Sequence, residues 1–368
     1  MSKLQAWTRL VVFFDACILL KKDERLGAMG WYRFGIRIVI SLLACFGLSH
    51  FSSAAIALEL SLPVACEIQK TCFVQNYVDV DASDARRDFA CGAATYDGHK
   101  GTDFRLISTP ETQNNVAVLA AAPGKIKNVR DGMSDRLVNK ATASIVAGRE
   151  CGNGVVIDHG DGWETQYCHL KRASVAVKRG DVVARGEQLG VIGFSGRAQF
   201  AHVHLEVRHQ GRVIDPFTAE EPNRGCDRGV MVDTGKALWT PQIRSALRYQ
   251  TGQIIEVGFS GVVPKRPQAE TGLSVLPMPK ANSKALLFIV RGINFRKGDR
   301  VQMSINGPGQ FQLKRTKSVP RARATAAFYI GKSLKNKRRW QAGRYKAQAV
   351  VLRDGKAIDK KSLDLVIN

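Results

Sequence analysis

From residue 98 to about residue 216 the chain alternates with the period of two that strands require and carries no helical pattern. Val155-Val156-Ile157 and Thr165-Gln166-Tyr167 flank the turn residues His159-Gly160-Asp161-Gly162, which is a hairpin signature. The stretch 182–192 is punctuated by Gly180, Gly186, Gly190 and Gly193, as in short strands joined by tight turns. In 201–207 the alternation is strict. Val203, Leu205 and Val207 fall on one face and His202, His204 and Glu206 on the other. A strand of this kind buries its valines and leucine and turns two imidazoles toward a cleft. These patterns predict a mostly antiparallel β domain over 98–223.

The rest of the chain divides around it. Residues 58–97 read as a cysteine-bearing lead-in with few strong strands, and 224–251 as a linker with a short helix near 242–249. Asp79-Val80-Asp81 with Asp84 lacks the glycine and distal glutamate of a calcium loop and reads as an acidic turn. Over 252–368, six strand-like runs at 254–258, 285–290, 301–305, 326–330, 345–352 and 363–367 are separated by Gly, Asn, Pro and Lys clusters. That spacing predicts a small β-sandwich of immunoglobulin-like kind. The fold class is therefore mainly β, an antiparallel sheet domain followed by a β-sandwich accessory domain.

The N-terminus bears on the compartment. Arg33 and Arg37 precede an apolar run over 38–48, and small residues follow, ending in Ala55-Ile56-Ala57. This is the order of a secretory signal peptide, with cleavage expected after Ala57, so 1–57 reads as a leader. The run is short for a membrane span; an uncleaved anchor is the alternative. Met29 would begin a signal of ordinary form and is read as the start. The expected location is periplasmic or secreted, membrane-anchored if the leader stays on. Six cysteines follow the leader: Cys66, Cys72, Cys91, Cys151, Cys168 and Cys226. An even set in an exported chain predicts disulfides, with Cys66 and Cys72 close enough for a local loop.

Charge narrows the partners. The chain carries a formal net charge of +23. Residues 241–368 hold 26 Lys+Arg against 6 Asp+Glu, a balance of +20. The densest run is Lys332, Lys335, Lys337, Arg338 and Arg339, beside Trp340. It reads either as a solvated basic loop or as an anchor on an anionic polymer or lipid. Nucleic acid is not expected of an exported chain.

Chemistry concentrates in three short motifs that hold four of the seven histidines. His99-Lys100-Gly101-Thr102-Asp103 spaces an imidazole and a carboxylate four apart, so they share one side of a helix or one face of a strand. Gly101 and Thr102 favour a turn running into a strand. His202-Val203-His204 presents its two rings on one face. In Tyr167-Cys168-His169-Leu170, strand parity sets His169 opposite Cys168, so only one of them is expected to face the cleft. A catalytic zinc site wants three N/O protein ligands and an open position. His99, Asp103 and one of His202 and His204 would supply them, with spare imidazoles left for proton transfer.

Residues 98–217 resemble the catalytic domain of the lysostaphin-type (LytM-like) zinc metallopeptidases. The resemblance runs through Gly98-His99-x-Gly101-x-Asp103 and Gly152-Asn153-Gly154-Val155-Val156-Ile157-x-His159-Gly160. It continues in Thr165-x-Tyr167-x-His169-Leu170, Val177-x-x-Gly180-Asp181-x-Val183-x-x-Gly186 and Gly190-x-x-Gly193-x-Ser195-Gly196, and closes with His202-x-His204-x-Glu206-Val207-Arg208. The run Cys72-Phe73-Val74-Gln75-Asn76-Tyr77 also resembles exported bacterial members. The resemblance implies that His99, Asp103 and His204 bind Zn2+, and that His202 and His169 are the active-site histidines outside the metal's ligand set, His202 as general base and His169 at the oxyanion or the water. It implies hydrolysis of the peptide cross-links or bridges of peptidoglycan, with stem peptides as substrate. The basic domain would grip an anionic wall polymer or outer-surface lipid. Two departures stand out: Phe200-Ala201 replaces the usual Gly-Pro, and Cys168 replaces a small residue. An enlarged segment, 132–149, is placed to shape a substrate groove. His159 and His209 read as a turn residue bonding backbone and as an exposed residue, and Glu206 as a supporting carboxylate. Competing functions are a non-catalytic activator of other wall hydrolases, for which lost ligands would have spoken, and a secreted peptidase with a non-wall protein target.

Overall fold

The computed structural model describes residues 58–226, 236–264, 270–334 and 339–368. The expected leader, its cleavage site, Met29, and Lys335, Lys337 and Arg338 lie outside the described residues. Among the described residues no helix is long and apolar enough to cross a membrane.

An eight-stranded antiparallel sheet organises the first half. β1 (Cys72–Asn76) is one edge, followed in space by β2 (Thr102–Leu106), β9 (His202–His209), β6 (Trp163–Leu170), β5 (Asn153–Gly160), β4 (Gly124–Arg130) and β7 (Val182–Val183). The short β10 (Arg212–Val213) pairs with β9, and β3 (Ala117–Leu119) with β8 (Gln188–Val191) forms a small second sheet. The expected hairpin is the β5–β6 pair, turning through Asp161 and Gly162. Val203, Leu205 and Val207 enter the core with Phe104, Tyr167, Val155 and Ile157, as the alternation requires.

Two flanking segments are corrected. The lead-in 58–97 is part of this domain: β1 pairs with β2, and Leu60, Tyr77 and Phe89 are core residues. The supposed linker is packed as well. Leu238, Trp239 and Leu247 are buried in the same core, Leu60 N–H donates to the Leu238 carbonyl, and Thr240 N–H donates to that of Leu60. Its helix is one turn, Pro241–Arg244. Cys91–Cys226 ties lead-in and linker together. The acidic turn at Asp79 holds backbone: its carboxylate accepts from the N–H groups of Asp81, Arg87 and Gly98. It thus shapes the loop that delivers His99.

The second half is a sandwich of two antiparallel sheets. One orders β11 (Gln253–Ser260), β12 (Ala285–Phe295) and β15 (Arg323–Ser333). The other orders β14 (Gln312–Ser318), β13 (Arg300–Asn306), β16 (Gly343–Arg353) and β17 (Lys356–Ile367). Phe288 and Val290 from the first meet Val301, Met303, Ala347 and Val351 from the second in one core. The strand β14 escapes the six expected. Its sequence, QLKRTKS, lies on an exposed edge where only Leu313 touches the core, so no apolar alternation marks it. β12 is buried along its whole length: beyond its core face, Ala285, Leu287 and Ile289 are covered by Leu273 and Leu276, and Arg291 and Ile293 face the first domain, where Ile293 packs with Phe73.

Candidate metal centre

His99, Asp103 and His204 are delivered by three adjacent pieces of backbone. Asp103 lies on β2 and pairs in register with His204 on β9, while His99 sits in the loop entering β2. The crossing is tight at Gly101. A Cβ there would stand 2.5 Å from the Leu205 carbonyl oxygen and 2.6 Å from His204 Nε2, so the motif needs glycine for close approach.

Three ligand atoms converge. His99 Nε2 is 3.1 Å from Asp103 Oδ1 and 3.1 Å from His204 Nδ1, and His204 Nδ1 is 2.9 Å from Asp103 Oδ1. Tetrahedral zinc, with N and O ligands at about 2.0–2.1 Å, would hold such atoms roughly 3.3 Å apart. Two imidazoles and one carboxylate at this spacing fit zinc and leave a fourth corner open. Among the described residues this is the one cluster with metal-ligand geometry.

Each ligand is oriented from behind. His99 Nδ1–H donates to the Tyr77 carbonyl at 2.7 Å, which leaves the lone pair on Nε2. Asn76 donates to Asp103 Oδ2 at 2.7 Å, which leaves Oδ1 free. His204 Nε2 lies 3.9 Å from Glu206 Oε2, and Glu206 is held by Arg208 at 2.7 Å, so its carboxylate is engaged behind His204 and stands outside the three-atom cluster. Asn76 and Tyr77 are site residues that no spacing rule finds; they sit in the lead-in, more than twenty residues before the first motif.

The electrostatics suit a cation. Burial opposes the Asp103 carboxylate, but His99, His202 and hydrogen bonds from the rings hold its pKa well below the usual range. Burial also opposes the His204 cation, yet Asp103 and Glu206 lift its pKa to about 9.

His169 and His202 stand beside this triad, their ring centroids 4.6 Å apart. His169 Nδ1–H donates to the Ser195 carbonyl and His202 Nδ1–H to the Phe200 carbonyl, both at 2.8 Å. Each neutral ring therefore carries its lone pair at Nε2, and His202 Nε2 lies 3.6 Å from Asp103 Oδ1. Burial pushes both rings toward neutrality, His202 to about 4 and His169 well below its ordinary value.

The expectation that Cys168 and His169 face opposite ways fails. Both line the cleft, because His169 adopts φ 65° and breaks the alternation at a bulge in the β5–β6 pairing. Cys168 is bonded to Cys151, and Cys66 to Cys72, a local loop that the sequence allows without selecting it. The cleft, about 520 Å³, is also bordered by Arg149 and Gly148 from the segment 132–149 and by Arg130 and Arg197. His159 bonds Pro123 and Thr165, as its turn position suggests. His209 is half-buried, stacked on Trp163 at 4.3 Å.

Residues 97–216 match the model of Peptidase family M23. Over 71 residues the chain is 39% identical to the peptidoglycan DD-endopeptidase ShyA of Vibrio cholerae, covering 19% of this chain and 16% of that protein. Over 99 residues it is 34% identical to the cell division protein DipM of Caulobacter vibrioides, covering 26% of this chain and 16% of DipM. It thus spans about a sixth of the length of these curated relatives. The catalytic domain of lysostaphin from Staphylococcus simulans aligns at 25% identity and a TM-score of 0.24, over 33% of this chain and 77% of that one.

Proposed function

We propose that this chain, whose residues 97–216 are a Peptidase family M23 domain, is an exported zinc endopeptidase that hydrolyses peptide cross-links or bridges of peptidoglycan. The observation that carries the reading is the convergence of His99 Nε2, Asp103 Oδ1 and His204 Nδ1, with the two imidazoles of His169 and His202 beside them. Bound there, zinc supplies Lewis acidity to a peptide carbonyl and makes water a stronger acid.

The chain's own groups do the rest. His202, neutral and with its lone pair fixed at Nε2, takes the proton of the attacking water. His169 is held the same way on Ser195. It assists the water by accepting a hydrogen bond at Nε2, and the proton that His202 takes from the water passes to the leaving amine as the peptide bond breaks. The cleft is lined by charges of both signs, Lys100, Arg130, Arg149 and Arg197 with Asp97, Glu150 and Glu206, which suits a peptide that carries both amino and carboxyl groups. Three disulfides favour an oxidising compartment, periplasmic or extracellular.

The accessory domain is read as the anchor. On the outer side of the four-stranded sheet, Arg300, Lys314, Arg344, Lys346 and Lys360 are exposed with one acid, Asp364. That surface suits an anionic wall polymer or lipid headgroup and would keep the hydrolase on its mesh.

Metal content and digestion of purified wall test the proposal, with His204→Ala alongside. About one zinc per chain, and free amino groups released from wall by the parent but not by the variant, are expected. Metal-free protein that binds wall without cutting it would mark a non-catalytic regulator. Cleavage of soluble proteins but not wall would mark a peptidase of another target.

A further inference from the structure

Arg105 follows Asp103 by two residues on β2 and so shares its face of the strand. Its side chain is completely buried beside the metal centre, where an unpaired guanidinium would be costly. The partner comes from the accessory half of the chain: Arg105 Nη2 donates to Glu270 Oε2 at 2.6 Å. Glu270 is fixed in turn, its carbonyl accepting from Thr109 N–H at 2.8 Å and from the Thr109 hydroxyl at 3.0 Å. Gln75 and the Leu106 carbonyl take further Arg105 protons. Nearby, Arg291 pairs with Glu256 and lies 3.9 Å from Glu270.

The guanidinium has a second contact, toward the site. Its carbon lies 4.8 Å from the centre of the Phe200 ring, a cation–π geometry. Phe200 then governs His202 twice. Its ring lies 4.3 Å from the imidazole at an interplanar angle of 31°, and its carbonyl takes the Nδ1–H. Arg105 and His202 also face one another in register across β2 and β9.

We infer that the accessory domain positions the general base: Glu270, through Arg105 and Phe200, sets the aim of His202 Nε2. The inference rests on the peptidase reading for its effect on rate, but the coupling itself is a property of the fold. Glu270, Arg105 and Phe200 are positioning residues and touch no substrate. A base displaced by a fraction of an ångström loses rate while the substrate's other contacts stay in place.

The test uses the full chain and four measurements: zinc content, melting temperature, kcat against KM on wall fragments, and the His202 ring signals in long-range 1H–15N spectra of the metal-free protein. The variants are Glu270→Gln, the pair Arg105→Met with Glu270→Met, and Phe200→Leu. The pair removes both charges together and leaves Arg291 with Glu256. Folded variants are expected to keep zinc and lose roughly ten- to a hundredfold in kcat, with KM within about twofold. The His202 signals should move while those of His159 stay. Phe200→Leu leaves the ion pairs intact and tests the last link, from Phe200 to His202; Glu270→Gln, the mildest of the charge changes, tests the link from the accessory domain should the double variant fail to fold. Unchanged kcat and unmoved His202 signals in folded variants would overturn the inference. If the parent cuts no wall and the His202 signals still move, the coupling stands and the peptidase reading falls.

Discussion

Cys168 and His169 are adjacent in the chain, and both face the metal cleft. A regular strand cannot do this. The left-handed residue at 169 turns the imidazole back to the side that Cys168 already occupies, and the bond from Cys168 to Cys151 fastens the bulge. The His169 N–H donates to the Cys151 carbonyl at 2.8 Å, so the disulfide and the histidine share one support.

Removing that bond should therefore cost stability and geometry together. The sequence separation is 17, and a loop near this length corresponds to about 3 kcal/mol of chain entropy. Cys151→Ser with Cys168→Ser should lower denaturant stability by roughly 2–4 kcal/mol. Metal should remain bound, since the three ligands lie outside the loop. A variant as stable as the parent would show that strand pairing alone holds the bulge.

The five site residues should divide into two classes. His99→Ala, Asp103→Ala and His204→Ala are expected to lose zinc. His169→Ala and His202→Ala should retain it and lose about 10²–10⁴ in kcat. Metal analysis of the purified variants, beside their rates on wall, makes the division. Loss of zinc from His202→Ala would move that residue into the ligand set.

How much of this was open to sequence reading follows from the range of each signal. The alternation in 202–207 placed His204 and the buried valines because a two-residue period is local and the sheet obeyed it. His99 and Asp103 stand within one run of five residues, so their pairing is a local signal too. That Cys168 and His169 share the cleft is not legible in the sequence, because a single positive φ outside glycine leaves no mark on composition. Asn76 and Tyr77 were missed as supports because only strand pairing across the lead-in brings them to the site. β14 was missed because an exposed edge needs no apolar face.

Asn76 gives the supporting contacts a test. Its amide holds Asp103 Oδ2 and leaves Oδ1 for the metal. Asn76→Ala should weaken zinc binding by about 10–100-fold, read by competition with a chromophoric chelator, with the melting temperature of the metal-free protein changed far less. An unaltered affinity would mean that the two histidines orient the carboxylate by themselves.

Gly101 predicts a steeper effect. No rotamer relieves a Cβ set 2.5 Å from a backbone carbonyl, so Gly101→Ala must part β2 from β9 or displace His204. Both routes separate Asp103 from His204. Zinc affinity and thermal stability should fall together, and a variant that binds zinc normally would contradict the close approach.

Asp215 links pH to stability away from the metal. Its carboxyl is buried, accepts one N–H from Phe217, and has its other oxygen without a partner among the described residues. Burial raises its pKa to about 7, against the opposing pull of the Phe217 N–H, with the Asp88 charge adding to the rise. The unfolded carboxyl titrates near its ordinary value of about 3.9. Between these values the folded chain holds a proton that the unfolded chain has released, so stability falls as pH rises through the window. A gap of about three units corresponds to roughly 4 kcal/mol, fully lost only above pH 7. Asp215→Asn removes the titration. Relative to the parent, it should gain roughly 2–4 kcal/mol at pH 8 over its standing at pH 5. Urea unfolding at the two pH values measures this. Parallel stability profiles for parent and variant would show that the carboxyl is ionised in the fold at neutral pH, with a hydrogen-bond donor at its second oxygen.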